Sequence, residues 1–283
     1  MLLFEPGNFL ALLRNIRHFD VSVDTEPFFR LSALLGLFFA GRRVGFSHSI
    51  RSLLYTDRVE FDDRQHEVLT FLDLSKKLGA YYKPKELISL NYSEDDKKVV
   101  DKIIKENKIS KTDVVIGITP GTAESARFRM WPKERFAALA DILVEKYNAK
   151  IIFVGAKSDE NVIKDVQNLM KKHSISFAGK TTLRQTFCLI KRCTVFISND
   201  TGPMHIAAAQ GVKTIGLFGP NLPDRFAPYG SGNISVYRKV ECSPCINVHL
   251  GQVPRECKRK KNKYICMNLI EVKDVLNAVK RLK

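Results

Sequence analysis

From about Thr112 to Gly219 the sequence alternates short apolar, β-rich runs with helical segments, which points to stacked βα units around a mostly parallel sheet. Val114–Thr119 (VVIGIT) is a continuous run of the kind buried on both faces. After a loop over Pro120 to Trp131, Pro132 opens a helix in which Phe136, Leu139, Ala140 and Leu143 recur at helical spacing. Lys150–Gly155 (KIIFVG) reads as a second buried strand. A helix across Asp159 to Lys172, a short strand near Ile175 to Ala178 and a helix from about Leu183 to Ile190 follow. Thr194–Ser198 (TVFIS) and Val212–Gly219 (VKTIGLFG) bracket one more helix, so residues 112–283 are expected to form a doubly wound lobe with a C-terminal helix.

The first 80 residues read as a smaller α/β piece. Its expected elements are a helix at Phe9–Arg17, a strand at Asp20–Asp24, an apolar helix at Phe28–Ala40, a short strand at Arg43–Phe46 and a helix at His66–Gly79. Two or three strands are few for a domain, so residues 1–90 are expected to be a partial lobe. Asn91–Lys108 reads as an exposed helix capped by Ser93, with acids in its first turn and lysines later, inside a linker spanning 91–111.

Composition narrows the setting. The longest apolar run, Leu31–Ala40, is about half of what a bilayer-spanning helix requires, and Arg42 and Arg43 follow it. MLLFEPGNFL carries an acid and a proline where a secretory leader would have a basic start and an unbroken apolar stretch, so a cytoplasmic protein is expected. The net charge of +16 favours anionic partners: nucleotides, phosphorylated glycolipids, an anionic membrane surface or nucleic acid. The densest basic stretch, Arg255–Lys263, lacks the interleaved aromatics of a single-strand platform, and no specific nucleic-acid partner is expected. Cys188 and Cys193 are expected in a core. Cys242 and Cys245 form a C-x2-C pair, with Cys257 and Cys266 as singles; such thiols can bind zinc or simply pack.

The segment Ile197–Pro220 (ISNDTGPMHIAAAQGVKTIGLFGP) puts Asp200, Thr201 and Gly202 where a strand ends and a helix begins. Backbone N–H groups and the helix dipole favour anions there, and Gly202 puts no side chain in the way. Pro203 suits a first helical turn, and His205, one turn in, faces the same rim and as imidazolium neutralises a phosphate oxygen. Ala207, Ala208 and Ala209 allow close packing on the sheet. The competing reading is an Asp200 N-cap and an ordinary surface histidine.

The string NDTGPMHIAAA followed by GLFGP closely resembles the signature of glycosyltransferase family 9, the ADP-heptose:lipopolysaccharide heptosyltransferases. The resemblance runs from about Phe19 to the end, and it implies a GT-B-like α/β fold: two Rossmann-like lobes around a cleft, the N-terminal lobe incomplete. It implies donor contacts from the loop after the first strand of the C-terminal lobe, with Thr119, Gly121 and Thr122 at its start. Arg129 lies near its end, where the family usually has lysine; a guanidinium grips a diphosphate bidentately. Asp159 and Glu160 (in FVGAKSDE) fit the acid that approaches the ribose, and Lys180 and Thr181 (in AGKTTLRQ) the loop that borders the base. Helix capping and surface roles compete at each of these four positions. On the N-terminal side the resemblance places an acceptor site, with Asp24 at a strand end and His66 opening a helix, a position read here as structural.

Members of the family begin with a strand and a glycine-rich loop whose aspartate resembles a general base, and the sequence has no counterpart of it. Asp24 and Glu26 are the nearest carboxylates. The expected reaction is a displacement with inversion in which Arg129 and His205 offset charge on the leaving diphosphate, with no metal or other cofactor. The expected partners are an ADP-sugar donor and a lipopolysaccharide-core or related glycan acceptor, with peripheral contact at the inner membrane face. The alternatives are a nucleotide-sugar-binding protein without transfer activity, a sugar-nucleotide epimerase and, distantly, a nucleic-acid binder.

Overall fold

A computed structural model describes residues 19–26, 30–82, 84–247, 252–254 and 256–282. The helix expected at Phe9–Arg17 lies outside them. The chain divides into two compact units, the first including residues 19–82 and the second residues 84–247 and 252–282.

The first unit holds a three-stranded parallel sheet in the order β1 (Phe19–Val23), β2 (Ala40–Phe46), β3 (Asp57–Val59). The helix between β1 and β2 runs over Arg30–Phe39, so Ala40, expected to end it, begins the next strand instead. Val44, Phe46, Val59 and Leu74 form its small core. The helix Glu67–Lys76 is capped by His66, whose side chain accepts from the Val68 N–H at 3.2 Å, which is the structural role expected for that histidine.

The second unit is a six-stranded sheet in the order β6-β5-β4-β7-β8-β9, every neighbouring pair parallel. These strands are β4 (Val115–Thr119), β5 (Lys150–Phe153), β6 (Ser174–Ser176), β7 (Val195–Asn199), β8 (Lys213–Phe218) and β9 (Ile234–Tyr237). Every residue of β4 and β7 is buried, which is why these strands read as unbroken apolar runs rather than alternating ones. One face packs Trp131, Phe136, Leu139, Leu143 and Phe153 into the main core, with the C-terminal helix Val272–Leu282 laid against it. Each such side chain contributes about 1.5–3 kcal/mol when fully removed from water.

Within the second unit some boundaries depart from expectation. The helix Glu160–Leu169 stops three residues short of Lys172 because the Asp141 carboxylate accepts the N–H groups of both Lys171 and Lys172, at 2.9–3.0 Å, and draws the chain out of the helix. The strand expected at Ile175–Ala178 is Ser174–Ser176. The segment expected as a linker over 91–111 is part of the second unit: Ser93 caps the helix Glu94–Glu106, as expected, and the structure adds a reciprocal bond with Asp96 that completes a capping box, but Val100 and Ile109 enter a core with Cys188, Leu189 and Phe196.

Candidate functional site

The strand order reverses between β4 and β7. From β4 the chain moves outward through β5 and β6, then returns to β7 and continues the other way through β8 and β9. Loops leaving the carboxyl ends of two such strands diverge to opposite faces and open a crevice, the usual ligand position in an open parallel sheet. Two segments singled out in the sequence meet there. Thr119 at the end of β4 is in register with Ser198 of β7, so the loop Pro120–Trp131 and the turn Asp200–Gly202 leave the sheet side by side.

The helix Gly202–Ala209 starts at this crevice. Thr201, not Asp200, is its N-cap residue, and the Thr201 hydroxyl makes no cap bond; it contacts the Ser198 hydroxyl at 3.2 Å and the Asn199 carbonyl at 3.4 Å. Gly202 is exposed, with open space where a Cβ would stand. Met204, on the inner face, fits against β8 because Gly216 has no Cβ to meet its sulfur, and Ala207, Ala208 and Ala209 are buried with it. His205 is half-buried in the first turn.

Asp200 is therefore free of capping, and its carboxylate is used across the crevice. Oδ2 lies 3.3 Å from Nη1 of Arg129 and accepts from Asn221 Nδ2 at 2.9 Å, while the residue as a whole is only 5% exposed. Arg129 sits partly buried at the end of the Pro120–Trp131 loop. Its Nε is buried with no hydrogen-bond partner among the described residues. The arrangement is a cation held by an internal carboxylate, with an N–H to spare, beside a helix N-terminus. Together these groups can receive an anion with charge-assisted hydrogen bonds.

Asn199 and Asn221, which the sequence reading did not single out, complete the frame. Asn199 accepts from the Trp131 N–H at 3.0 Å and donates to the Pro120 carbonyl at 2.8 Å. Asn221 follows the Gly-Pro pair after β8. The one sequence signal for either is an amide at or just after a strand end, beside Asp200 in one case and Pro220 in the other, which is common in turns.

The remaining site residues fall on both sides of expectation. Asp159 faces the start of the same loop: a Cβ on Gly121 would collide with its carboxylate, which accepts from the Ala156 N–H at 2.8 Å. Burial pushes the Asp159 carboxyl above the usual carboxylate range, against the lowering effect of that N–H. Glu160 lies next to Gly179, whose missing Cβ leaves room for its carboxylate, and Lys180 is exposed beyond it. The Thr181 hydroxyl pairs with that of Thr186 at 2.8 Å, and the Thr122 hydroxyl contacts the Ala123 carbonyl at 3.3 Å. Thr119 is a correction: at 2% exposure its hydroxyl donates to the Val154 carbonyl at 2.8 Å and ties β4 to β5 instead of facing the crevice.

Asp24 is the second correction. Its Oδ2 accepts from Tyr55 at 2.5 Å and from Ser32 at 2.9 Å and lies 3.9 Å from Arg51, and its Oδ1 accepts from the Glu26 N–H at 3.0 Å. A carboxylate so engaged organises the end of β1 and is poorly placed to take a proton from an incoming hydroxyl. Glu26, two residues on, keeps Oε2 buried with no hydrogen-bond partner among the described residues.

The cysteines of the C-terminal tail are free thiols. Cys245 donates to the Cys242 carbonyl at 3.0 Å, Cys257 accepts from the Tyr264 N–H at 3.4 Å, and Cys266 packs against Gly219. Among the described residues no group of three or more His, Cys, Asp or Glu side chains is arranged to hold a metal ion, and no helix is long and apolar enough to cross a membrane.

Residues 10–250 match the family model for glycosyltransferase family 9 (heptosyltransferase). The chain is 26% identical over 261 residues to a lipooligosaccharide heptosyltransferase 2 from Campylobacter jejuni, an alignment covering 88% of this chain and 76% of that one. It is 28% identical over 240 residues to the lipopolysaccharide core heptosyltransferase OpsX of Haemophilus influenzae, covering 81% and 67%. Among solved structures, a glycosyl transferase family 9 protein from Veillonella parvula superposes with a TM-score of 0.77 at 23% identity, over 96% of this chain and 76% of that one. The E. coli ADP-heptose lps heptosyltransferase II gives 0.70 at 21%, over 98% and 78%. These likenesses match the α/β, GT-B-like architecture expected from the sequence.

Proposed function

Because the chain belongs to glycosyltransferase family 9, the heptosyltransferase family, it is a glycosyltransferase, and we propose that it moves heptose from an ADP-activated donor to a lipopolysaccharide-core acceptor with inversion. The observation that carries this reading is the Arg129–Asp200 pair beside the N-terminus of the helix Gly202–Ala209, at the point where the strand order reverses. The donor's diphosphate lies against that helix end and Arg129, with His205 one turn in. Gly121 and Thr122 line the start of the loop. Asp159 and Glu160 approach the ribose, and Lys180 and Thr181 border the base.

In the reaction a carboxylate takes the proton of the acceptor hydroxyl, the oxygen attacks the anomeric carbon from the face opposite the diphosphate, and ADP departs with the bonding pair. Arg129, His205 and the helix dipole are fixed before the reaction and offset the charge that grows on the leaving group. Of the two carboxylates at the end of β1, Glu26 has the oxygen not already engaged. The net charge of +16 suits a phosphorylated glycolipid acceptor at an anionic membrane face.

Purified protein incubated with ADP-heptose and a heptose-deficient core acceptor is expected to release ADP and extend the acceptor. Donor binding without ADP release in the presence of acceptor would sink the transferase reading for this chain. Isomerisation of the donor with no acceptor present would point to an epimerase.

A further inference from the structure

The loop that carries Arg129 leaves the sheet at Pro120 and returns at Trp131, and one side chain touches both ends. Asn199, fully buried as the last residue of β7, accepts the Trp131 N–H through Oδ1 at 3.0 Å and donates through Nδ2 to the Pro120 carbonyl at 2.8 Å. A carboxamide offers a donor and an acceptor on one short, planar head; a carboxylate supplies acceptors alone, and an aliphatic side chain neither. Both backbone groups are buried, so each would pay its desolvation cost unpaired if the amide were lost. Trp131 is also held on its other side, where the indole N–H donates to the Ile270 carbonyl at 2.8 Å and the ring meets Phe136 edge-on at 4.9 Å.

We propose that Asn199 is a positioning residue for donor binding: by closing the loop at both ends it sets where the Arg129 backbone stands, while its neighbour Asp200 sets where the Arg129 guanidinium points. Two consecutive residues at a strand end, whose side chains diverge, divide the placement of one cation between them. Arg129 is two residues from the Trp131 end of the clamp, so release of that end frees the cation directly. This inference rests on the reading that the Arg129 loop grips the donor's diphosphate.

The test measures ADP binding calorimetrically for the wild type, Asn199→Ala, Asn199→Asp, Arg129→Ala and the Asn199→Ala/Arg129→Ala double variant, with thermal melts of each. Asn199→Ala is expected to weaken ADP binding about tenfold or more, the scale of one lost charge-assisted hydrogen bond. Asn199→Asp, which can still accept from Trp131 but no longer donates to Pro120, falls between. In the Arg129→Ala background the Asn199 substitution costs less than about twofold, because its effect passes through the arginine. Leu143→Ala, a core truncation outside the loop, lowers the melting temperature and leaves ADP affinity within about twofold.

Wild-type binding with unchanged affinity in both Asn199 variants overturns the inference, as does an equal Asn199 effect with and without Arg129. If neither variant folds, hydrogen exchange on the unsubstituted protein decides. The Trp131 amide is expected to exchange as slowly as the amides of β4 and β7, and fast exchange there refutes the clamp. A wild-type protein that binds no ADP but keeps a slow Trp131 amide removes the donor reading and leaves the clamp a matter of folding alone.

Discussion

The Asp200 carboxylate lies 3.3 Å from the Arg129 guanidinium, joining residues 71 positions apart on the segments that follow two adjacent strands. Asp200 would repel a diphosphate if it faced one alone. With Oδ2 between Arg129 and Asn221, it instead holds the cation in place. Arg129→Ala is expected to weaken ADP binding by about 1.5–3 kcal/mol, and Asp200→Ala by a comparable amount through loss of the same placement. Combining the two should cost much less than the sum, since residues in one network couple. Calorimetric titration with ADP checks this, and additive losses would mean that Asp200 contacts the ligand on its own account.

The second prediction concerns Gly121 and Asp159. The glycine permits an approach that any Cβ would block, because the Asp159 carboxylate occupies that space and is anchored by the Ala156 N–H. Gly121→Ala is expected to destabilise the protein by about 1–3 kcal/mol, the usual cost of forcing extra volume into a filled site. Truncating the obstacle restores much of it, so Gly121→Ala in an Asp159→Ala background costs far less. Urea denaturation of the four proteins measures the coupling. An undiminished cost in that background would show that the glycine is needed for its backbone and not for space.

What the sequence made legible was local. The buried runs of β4 and β7, the Ser93 cap and the helix after Pro132 are set by neighbours within a few positions, and period and propensity suffice to read them. The strand–helix junction at Asp200 was visible for the same reason. Illegible were features imposed from far along the chain. Asp141 ends the helix Glu160–Leu169 from 30 residues away, and Asn199 reaches loop ends 68 and 79 residues away. Strands Asp57–Val59 and Ile234–Tyr237 are too short to carry a period of their own and exist because a neighbour pairs with them. Thr119 and Asp24 were misread for a related cause: a residue type says that a hydroxyl or carboxylate is present, whereas its partners depend on tertiary packing.

The thiols give a third test. Burial pushes Cys193 up to about 12 and Cys266 up to about 11, so at pH 8 neither holds an appreciable thiolate fraction. In the native protein both are expected to resist Ellman's reagent over minutes, while protein unfolded in urea titrates all six cysteines of the sequence. Mass spectrometry after brief alkylation assigns the sites. Rapid labelling of Cys266 would show that the tail packed on Gly219 opens readily.

Asp159 yields a pH dependence with a definite sign. Its folded-state pKa is raised above the unfolded value, chiefly by burial, so the group stabilises the fold most when protonated. That contribution is complete below the unfolded pKa of about 3.9 and is lost as pH rises through the higher folded value. Asp159→Asn preserves the shape and the acceptor for the Ala156 N–H without the buried charge. It is expected to match the wild type in stability near pH 3 and to exceed it at pH 7, with the gap opening between the two pKa values. A half-buried charge kept at such a cost needs a use, and the proposed one is the ribose of the donor. The same substitution is therefore expected to weaken ADP binding at pH 7 by about 1 kcal/mol or more, as a carboxylate acceptor becomes an amide. Urea unfolding across pH together with calorimetry separates the two effects: equal stability at pH 7 would refute the burial argument, and unchanged ADP affinity would remove Asp159 from the donor site.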